Sequence, residues 1–265
     1  MLLTTIFYHV DNFCKKFEEI LDKHSLPALK RKRARSLCKS EVMTIVIYFH
    51  HSGFKTFKDY YNCYVKNFLR QAFGNRLVSY NRFIELMQEC NIHLYVFMNF
   101  YCVGKCTGIS FIDSTHLKVC HNRRIYSHKT FKGSAMMGVT SLGWFYGFKL
   151  HLSINEKGGK IFGDRGYISS KLFKELYNKG IRMFSKIRKN MKNKLLPIYD
   201  KLLLQKRGII ESVINLLKNS CTIDHTRHRS KTNFFVNLVS GLIAYSFLEK
   251  KPSISFPAAH LLQEA

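Results

Sequence analysis

The residue pattern changes character near Gly108, and this change constrains the fold more than any other feature of the chain. Residues 1–105 carry the apolar spacing and the start signals of several short helices. After Gly108 come apolar runs of β type at 109–112, 144–154 and 160–163. The pattern therefore predicts a helical N-terminal part followed by a mixed α/β part.

The helices have recognisable boundaries. Ser40-Glu41 and Val78-Ser79-Tyr80-Asn81 are typical helix starts. Residues 170–178 are expected to form a helix that ends at Gly180, and a long amphipathic helix is expected from about Asp200 to Asn219. The apolar residues expected to pack this long helix on a sheet are Leu203, Ile210, Val213 and Leu217.

Charge is the second strong feature. Lys and Arg total 43 against 17 Asp and Glu, which gives a formal net charge of +26 at pH 7. Such an excess repels itself in a compact fold, so a polyanion is the expected partner. Nucleic acid fits better than an anionic membrane surface, because neutralising phosphates releases counterions. A packed core is possible, since 46% of the residues are hydrophobic.

The sequence favours a cytoplasmic protein. Residues 1–10 lack the features of a signal peptide, and the longest apolar stretch, 234–248, is interrupted and shorter than the ~18–20 residues of a membrane span. Eight scattered cysteines are expected to be reduced thiols. Cys102 and Cys106, with Cys120-His121 beyond them, do not have the usual spacing of a structural zinc site.

Acidic residues are scarce, so their positions are informative. Asp113 follows one strand-type run, Asp164 follows another, and Glu211 lies inside the long helix. Carboxylates in these positions can converge on two Mg²⁺ or Mn²⁺ ions. Such a pair of ions is a cofactor suited to phosphodiester cleavage. Each carboxylate also has a simpler interpretation: the aspartates could cap turns, and Glu211 could pair with Arg207 on a helix surface.

Basic residues are expected to contact DNA. Arg207 and Lys218 share a helix face with Glu211. The basic run 30–35 favours a helix-turn-helix-like DNA-binding domain in residues 1–105, with a helical bundle and a solvated basic face as the alternative. The candidate DNA-binding residues are Arg123, Arg124, Lys129, Lys186, Arg188, Lys189, Arg207, Lys218, Arg227 and Arg229.

Several longer strings carry a resemblance to a known family. They are Ser40-Glu-Val-Met-Thr44, Asp113-Ser-Thr115, Leu117–Arg124, Gly143–His151, Phe162–Tyr167, Lys186–Lys194 and His225–Ser230. Together they resemble insertion-sequence transposases of the 982 family, over about residues 1–250. The helix around Glu211 also resembles the wider signature Tyr-x2-Arg-x3-Glu-x6-Lys, with Leu204 at the tyrosine position.

The resemblance implies a DDE transposase with an RNase H-like core. Its catalytic, metal-binding carboxylates would be Asp113, Asp164 and Glu211. Its partners would be terminal inverted repeats and target DNA, with a homo-oligomer assembled on the DNA. The implied domains are a helical DNA-binding domain at 1–105 and a reduced RNase H-like core with a mixed sheet and flanking helices at 106–250. Pro252 and Pro257 indicate a loose tail at 251–265.

One departure from the family concerns the segment after Ile154. Relatives continue with another strand, a turn and a helix before the second aspartate, whereas this chain passes from Gly159 directly to 160–163 and Asp164. The sequence therefore predicts an internal deletion near 159–160. Two alternatives to an active transposase stay open: a catalytically defective remnant that only binds DNA, and an RNase H-like nuclease unrelated to transposition.

Overall fold

The computed structural model describes most of the chain. The described ranges are 2–24, 36–103, 108–140, 143–154, 159–186, 195–224 and 228–254. Contacts divide the chain into two compact units. The first comprises 1–102, 116–148 and 216–248, and the second comprises 103–115, 149–215 and 249–265.

The described residues form ten α-helices and five strands. The helices are α1 (Leu2–His24), α2 (Lys39–Phe49), α3 (Phe57–Asp59), α4 (Lys66–Phe68), α5 (Tyr80–Glu89), α6 (Asn91–Tyr101), α7 (Ser170–Asn178), α8 (Ile198–Lys206), α9 (Ile209–Asn219) and α10 (Lys231–Ser246), with a π-helical segment at Tyr60–Val65. The strands are β1 (Ile109–Lys118), β2 (Met136–Thr140), β3 (Gly143–Ile154), β4 (Lys160–Gly163) and β5 (Arg182–Ser185). The mixed α/β fold is as the sequence predicts.

The two marked helix starts are confirmed. At α2 the Glu41 carboxylate accepts a hydrogen bond of 2.7 Å from the backbone N–H of Cys38. At α5 the Ser79 hydroxyl accepts from the backbone N–H of Arg82 at 3.3 Å. In both cases a side-chain oxygen satisfies a donor that has no partner within the helix, which is why these residues begin helices.

A buried histidine ties the first unit together. Helix α10 packs against α2, α5 and α6. His50, which follows α2, contacts the carbonyl of Cys221 through Nδ1 and the Ser240 hydroxyl through Nε2 at 2.8 Å. A carbonyl only accepts, so Nδ1 carries the proton. Burial lowers the pKa of His50 to about 3, and the ring is neutral.

The strands form one sheet in the order β2-β3-β1-β4-β5. β4 lies parallel to β1 on one side and parallel to β5 on the other, while β2 and β3 are antiparallel. The apolar runs predicted β1, β3 and β4 but neither β2 nor β5. β2 presents Met136 and Val139 largely to solvent, so it lacks the apolar alternation that marks a half-buried strand, and β5 has only Met183 and Phe184 as apolar residues.

The second unit has its own apolar core. Phe111 of β1 and Phe162 of β4 pack with Leu203, Leu204 and Ile210 from α8 and α9. The four residues expected to bury the long helix, Leu203, Ile210, Val213 and Leu217, are all buried. α8 is also held by an ion pair of 2.6 Å between Asp200 and Lys160, the first residue of β4.

The expectation of one continuous helix from Asp200 to Asn219 is wrong. α8 ends at Lys206 and α9 begins at Ile209. At the break the N–H groups of Ile210 and Glu211 donate to the carbonyls of Arg207 and Gly208, three residues earlier. Glycine weakens a helix interior by about 1 kcal/mol relative to alanine, which favours the break at this point.

The buried His50 predicts a pH-dependent loss of stability. The pKa of His50 is lowered in the folded protein, so below the unfolded value of about 6.5 only the unfolded chain takes up the proton. The free energy of unfolding therefore decreases as the pH is lowered from about 6.5 to about 3. From pH 7 to pH 5 the loss is about 2 kcal/mol. Urea unfolding at the two pH values should show a smaller difference in His50→Gln than in the wild type. Equal differences would contradict the assignment.

Candidate active site

Asp113 lies within β1 rather than at its end, which corrects the expected strand boundary. Its side chain is 20% exposed. Oδ1 accepts a hydrogen bond of 2.8 Å from the backbone N–H of Ser114. The carboxylate is therefore held from its own strand, with Oδ2 left to face other groups.

Asp164 follows β4 directly. The β1–β4 register pairs Ile109 with Lys160 and Phe111 with Phe162, and the same offset sets Asp164 level with Asp113. Gly163 precedes it in a crowded position, because a Cβ there would lie 3.0 Å from the side chains of Ile112 and Met183. Parallel pairing thus brings the two aspartates to one place on the sheet.

All three predicted catalytic carboxylates lie within 3.9 Å of the Arg207 guanidinium. It lies at the junction of α8 and α9, with its side chain 17% exposed. Nη2 lies 3.3 Å from Glu211 Oε1 and 3.9 Å from Asp164 Oδ1, and Nη1 lies 3.8 Å from Asp113 Oδ2. The carboxylates of two strands and one helix therefore surround a single guanidinium.

The electrostatic balance at this site is incomplete. Three carboxylates face one cation, and Arg207 Nη1 is a buried donor without a hydrogen-bond partner among the described residues. Within the described ranges, no three His, Cys, Asp or Glu side chains are grouped as ligands of one metal ion. The oxygen donors are nevertheless those that Mg²⁺ and Mn²⁺ prefer, so the chemistry of the set fits such ions.

Two further side chains, to which the sequence analysis gave no role, lie beside the carboxylates. Tyr167 Oη and His151 Nδ1 are 2.8 Å apart. Burial raises the pKa of Tyr167, although a hydrogen bond with Ser114 acts in the opposite direction. Burial, and to a smaller extent the positive charge of Lys149, lowers the pKa of His151. Both shifts favour the uncharged forms. The signal for these residues was present, since both belong to strings that carry the family resemblance.

The predicted DNA-contacting residues fall into three groups. Exposed cations are Arg123, Arg124, Lys129, Lys186 and Arg229. Arg207 and Lys218 are instead mostly buried in ion pairs: Lys218 Nζ lies 3.4 Å from Asp224 and donates to the carbonyl of His116 at 2.9 Å. Arg188, Lys189, Arg227 and the basic run 30–35 lie outside the described residues.

The chain matches a known protein family over the part that holds the three carboxylates. Residues 103–160 and 158–231 match the family of transposase DDE domains. The match supports a DDE transposase. The mixed five-stranded sheet with flanking helices is consistent with the RNase H-like core of such a transposase.

Comparisons with curated proteins and with solved structures identify no relative of the chain. Across the described part of the chain, no helix combines the length and the apolar character that a membrane crossing requires.

The position of Arg207 predicts a large effect of its removal on stability. Arg207→Gln leaves three carboxylates facing each other without their counterion, and should lower the free energy of unfolding by about 1–2 kcal/mol at low salt. The matched control is Lys206→Gln, an equal charge change at an exposed neighbouring residue, expected to stay within about 0.5 kcal/mol of the wild type. Urea unfolding of the three proteins measures this. Similar losses in both variants would contradict the structural role of Arg207.

Proposed function

We propose that the chain is a DNA transposase whose catalytic carboxylates are Asp113, Asp164 and Glu211. The observation that carries this proposal is their convergence on Arg207, within 3.9 Å in each case. Glu211 lies one helical turn from Arg207, whereas Asp113 and Asp164 are distant in sequence and are brought to the same guanidinium by the fold. The family match over 103–231 supports the same reaction class.

The same carboxylates would hold the divalent cation that this chemistry requires. Bound there, Mg²⁺ or Mn²⁺ supplies activation of a water or 3′-hydroxyl and charge neutralisation at the phosphodiester. Asp113 is fixed by its bond to the Ser114 N–H, whereas Asp164 and Glu211 are 54% and 63% exposed and have room to turn. Arg207 lies beside the same oxygens, so it would compete with a bound cation for them.

DNA binding is proposed for the exposed cations. Arg123 and Arg124 lie in a short 3₁₀ segment, with Lys129 close behind, and all three are exposed. The excess of Lys and Arg over acidic residues gives the chain a field that attracts phosphates. We further propose that residues 1–105 bind the terminal inverted repeats and that the protein acts as a homo-oligomer on DNA.

An internal deletion is proposed between β3 and β4. The family match is divided into two segments that meet at 158–160. In addition, β2 pairs with β3 only at 143–147, and no described strand lies on that side of 148–154. A strand of relatives inserted after Gly159 would have this edge available.

The shortened connection does not prevent the two aspartates from meeting. β3 and β4 flank β1 in the sheet, so the chain must cross about 10 Å at about 4.8 Å per strand. The five steps from Ile154 to Gly159 span up to about 17 Å when extended. The deletion therefore removes an edge strand and a covering helix while leaving the β1–β4 pairing possible.

Asp113→Asn tests the catalytic assignment. Removing this charge should weaken Mn²⁺ binding at least tenfold and abolish metal-dependent DNA cleavage. DNA binding should be unchanged or slightly tighter, because repulsion of phosphate falls. Isothermal titration with Mn²⁺ and a gel assay on insertion-sequence ends measure the two properties. The matched control is Asp59→Asn, an exposed aspartate in the first unit. Unaltered Mn²⁺ binding in Asp113→Asn would show that the site is misassigned.

A transposition assay on a mini-element, a short DNA bounded by the terminal inverted repeats, separates an active transposase from a defective remnant. Restoring a relative's strand and helix after Gly159 should raise both transposition and thermal stability, because an uncovered apolar sheet face costs about 25 cal/mol per Å². Transposition frequency of a mini-element is compared between the present chain and the restored one. Equal frequencies would rule out any functional effect of the deletion. Cleavage without preference for inverted-repeat ends would favour the unrelated nuclease.

A further inference from the structure

A cavity of about 650 Å³ lies within the first unit, and none of the three carboxylates lines it. Its apolar floor includes Val46, Phe49 and Met87, which are buried. Its remaining wall comes from the start of α3, the start of α5 and the first turns of α10. This volume is within the range of about 300–1,000 Å³ that is common for small-molecule sites.

Two side-chain amides line this cavity. Asn233 and Asn237 are four residues apart on α10, so they lie on the same face of the helix. Each side chain carries an amide donor and a carbonyl acceptor, so the two together suit a ligand that offers both kinds of group.

Aromatic rings form another part of the wall. Tyr80 and Phe57 line the cavity, and both are partly exposed. Phe57 is supported from behind by Phe83, with stacked rings whose centroids are 5.7 Å apart, and Tyr80 by Tyr61 at 6.0 Å. Supported rings of this kind are platforms on which a nucleobase can stack.

Two exposed cations stand at the rim. Lys58 follows Phe57, and Arg229 is close enough to Tyr80 to oppose the effect of burial, which raises the pKa of that phenol. The acidic residue of the lining, Glu85, is paired with Arg82. The rim is therefore suited to phosphate, and the interior is suited to a flat heterocycle with donor and acceptor groups.

We propose that this cavity binds one unpaired nucleotide of a DNA strand, with the base between the aromatic wall and the amides of Asn233 and Asn237, and the phosphate on Lys58 and Arg229. A free nucleotide has the same chemistry. A DNA strand is preferred over a free nucleotide because the net charge of +26 strengthens binding with each additional phosphate on either side of the bound base. The inference rests on the proposed action of the chain on DNA.

The test uses a single-stranded 12-nucleotide DNA with one central 2-aminopurine, its blunt duplex, and dAMP. The variants are Asn237→Leu, which removes an amide at similar volume, and Tyr80→Leu, which removes the stacking ring. The matched control is Asn99→Leu, an exposed amide on α6 outside the cavity. Circular dichroism establishes that each variant is folded, and Asn233→Leu replaces any variant that is not.

Wild type should bind the single strand with quenching of 2-aminopurine fluorescence. Each cavity variant should bind it about tenfold more weakly, because each lacks either the stacking ring or an amide that can hydrogen-bond to the base, while Asn99→Leu should bind like the wild type. Duplex binding should be unchanged in all variants. Single-strand binding that survives in both cavity variants would overturn the inference, as would dAMP binding as tightly as the oligonucleotide.

The two proposals fail in different ways. A wild-type chain that binds neither DNA form would overturn both of them. Wild-type binding that both cavity variants retain overturns the cavity alone, and leaves the metal-dependent cleavage tested by Asp113→Asn unaffected. Loss of single-strand binding in the cavity variants supports the cavity, whatever the activity at the carboxylates.

Discussion

The parallel pairing of β1 with β4 is the constraint on which the second unit depends. Its register sets Asp164 level with Asp113, and it places Phe111 beside Phe162 in the apolar core. Those two rings form the apolar surface that α8 and α9 cover. Phe111 and Asp113 are two residues apart on β1, so their side chains leave the same face of the sheet, and the same spacing relates Phe162 to Asp164. A shift of β4 by one residue would turn both Phe162 and Asp164 to the opposite face. Burial of the rings therefore enforces the position of the acids.

The break between α8 and α9 places a cation beside the two aspartates of the sheet. At the break, Arg207 can face Asp113 and Asp164 while staying within hydrogen-bond distance of Glu211. α8 is fixed to the sheet by Asp200, whose buried carboxylate pairs with Lys160 at the start of β4. The same short strand thus holds both the helix that supplies the cation and the aspartate that faces it.

Local sequence signals predicted much of the architecture, and they were wrong where tertiary contacts decide. Caps at Ser79 and Glu41, and the apolar runs of β1 and β3, depend on near neighbours and are confirmed. β2 was missed because its side chains are largely exposed and its pairing with β3 defines it. The helix break was missed because amphipathic spacing continues through Gly208 without interruption. The catalytic role of the three carboxylates stays a prediction, although the structure brings them together.

By itself, the sequence determined the two-part character of the chain, its large excess of positive charge, and the short set of acidic residues from which a metal site could be built. These follow from composition and from spacings of a few residues, which act locally. Only the tertiary structure decided that Arg207 lies among those acids, and that amides of α10 meet aromatic residues of α3 and α5 around one cavity. Both arrangements join residues far apart in the chain, and their geometry is fixed by packing that no local pattern encodes.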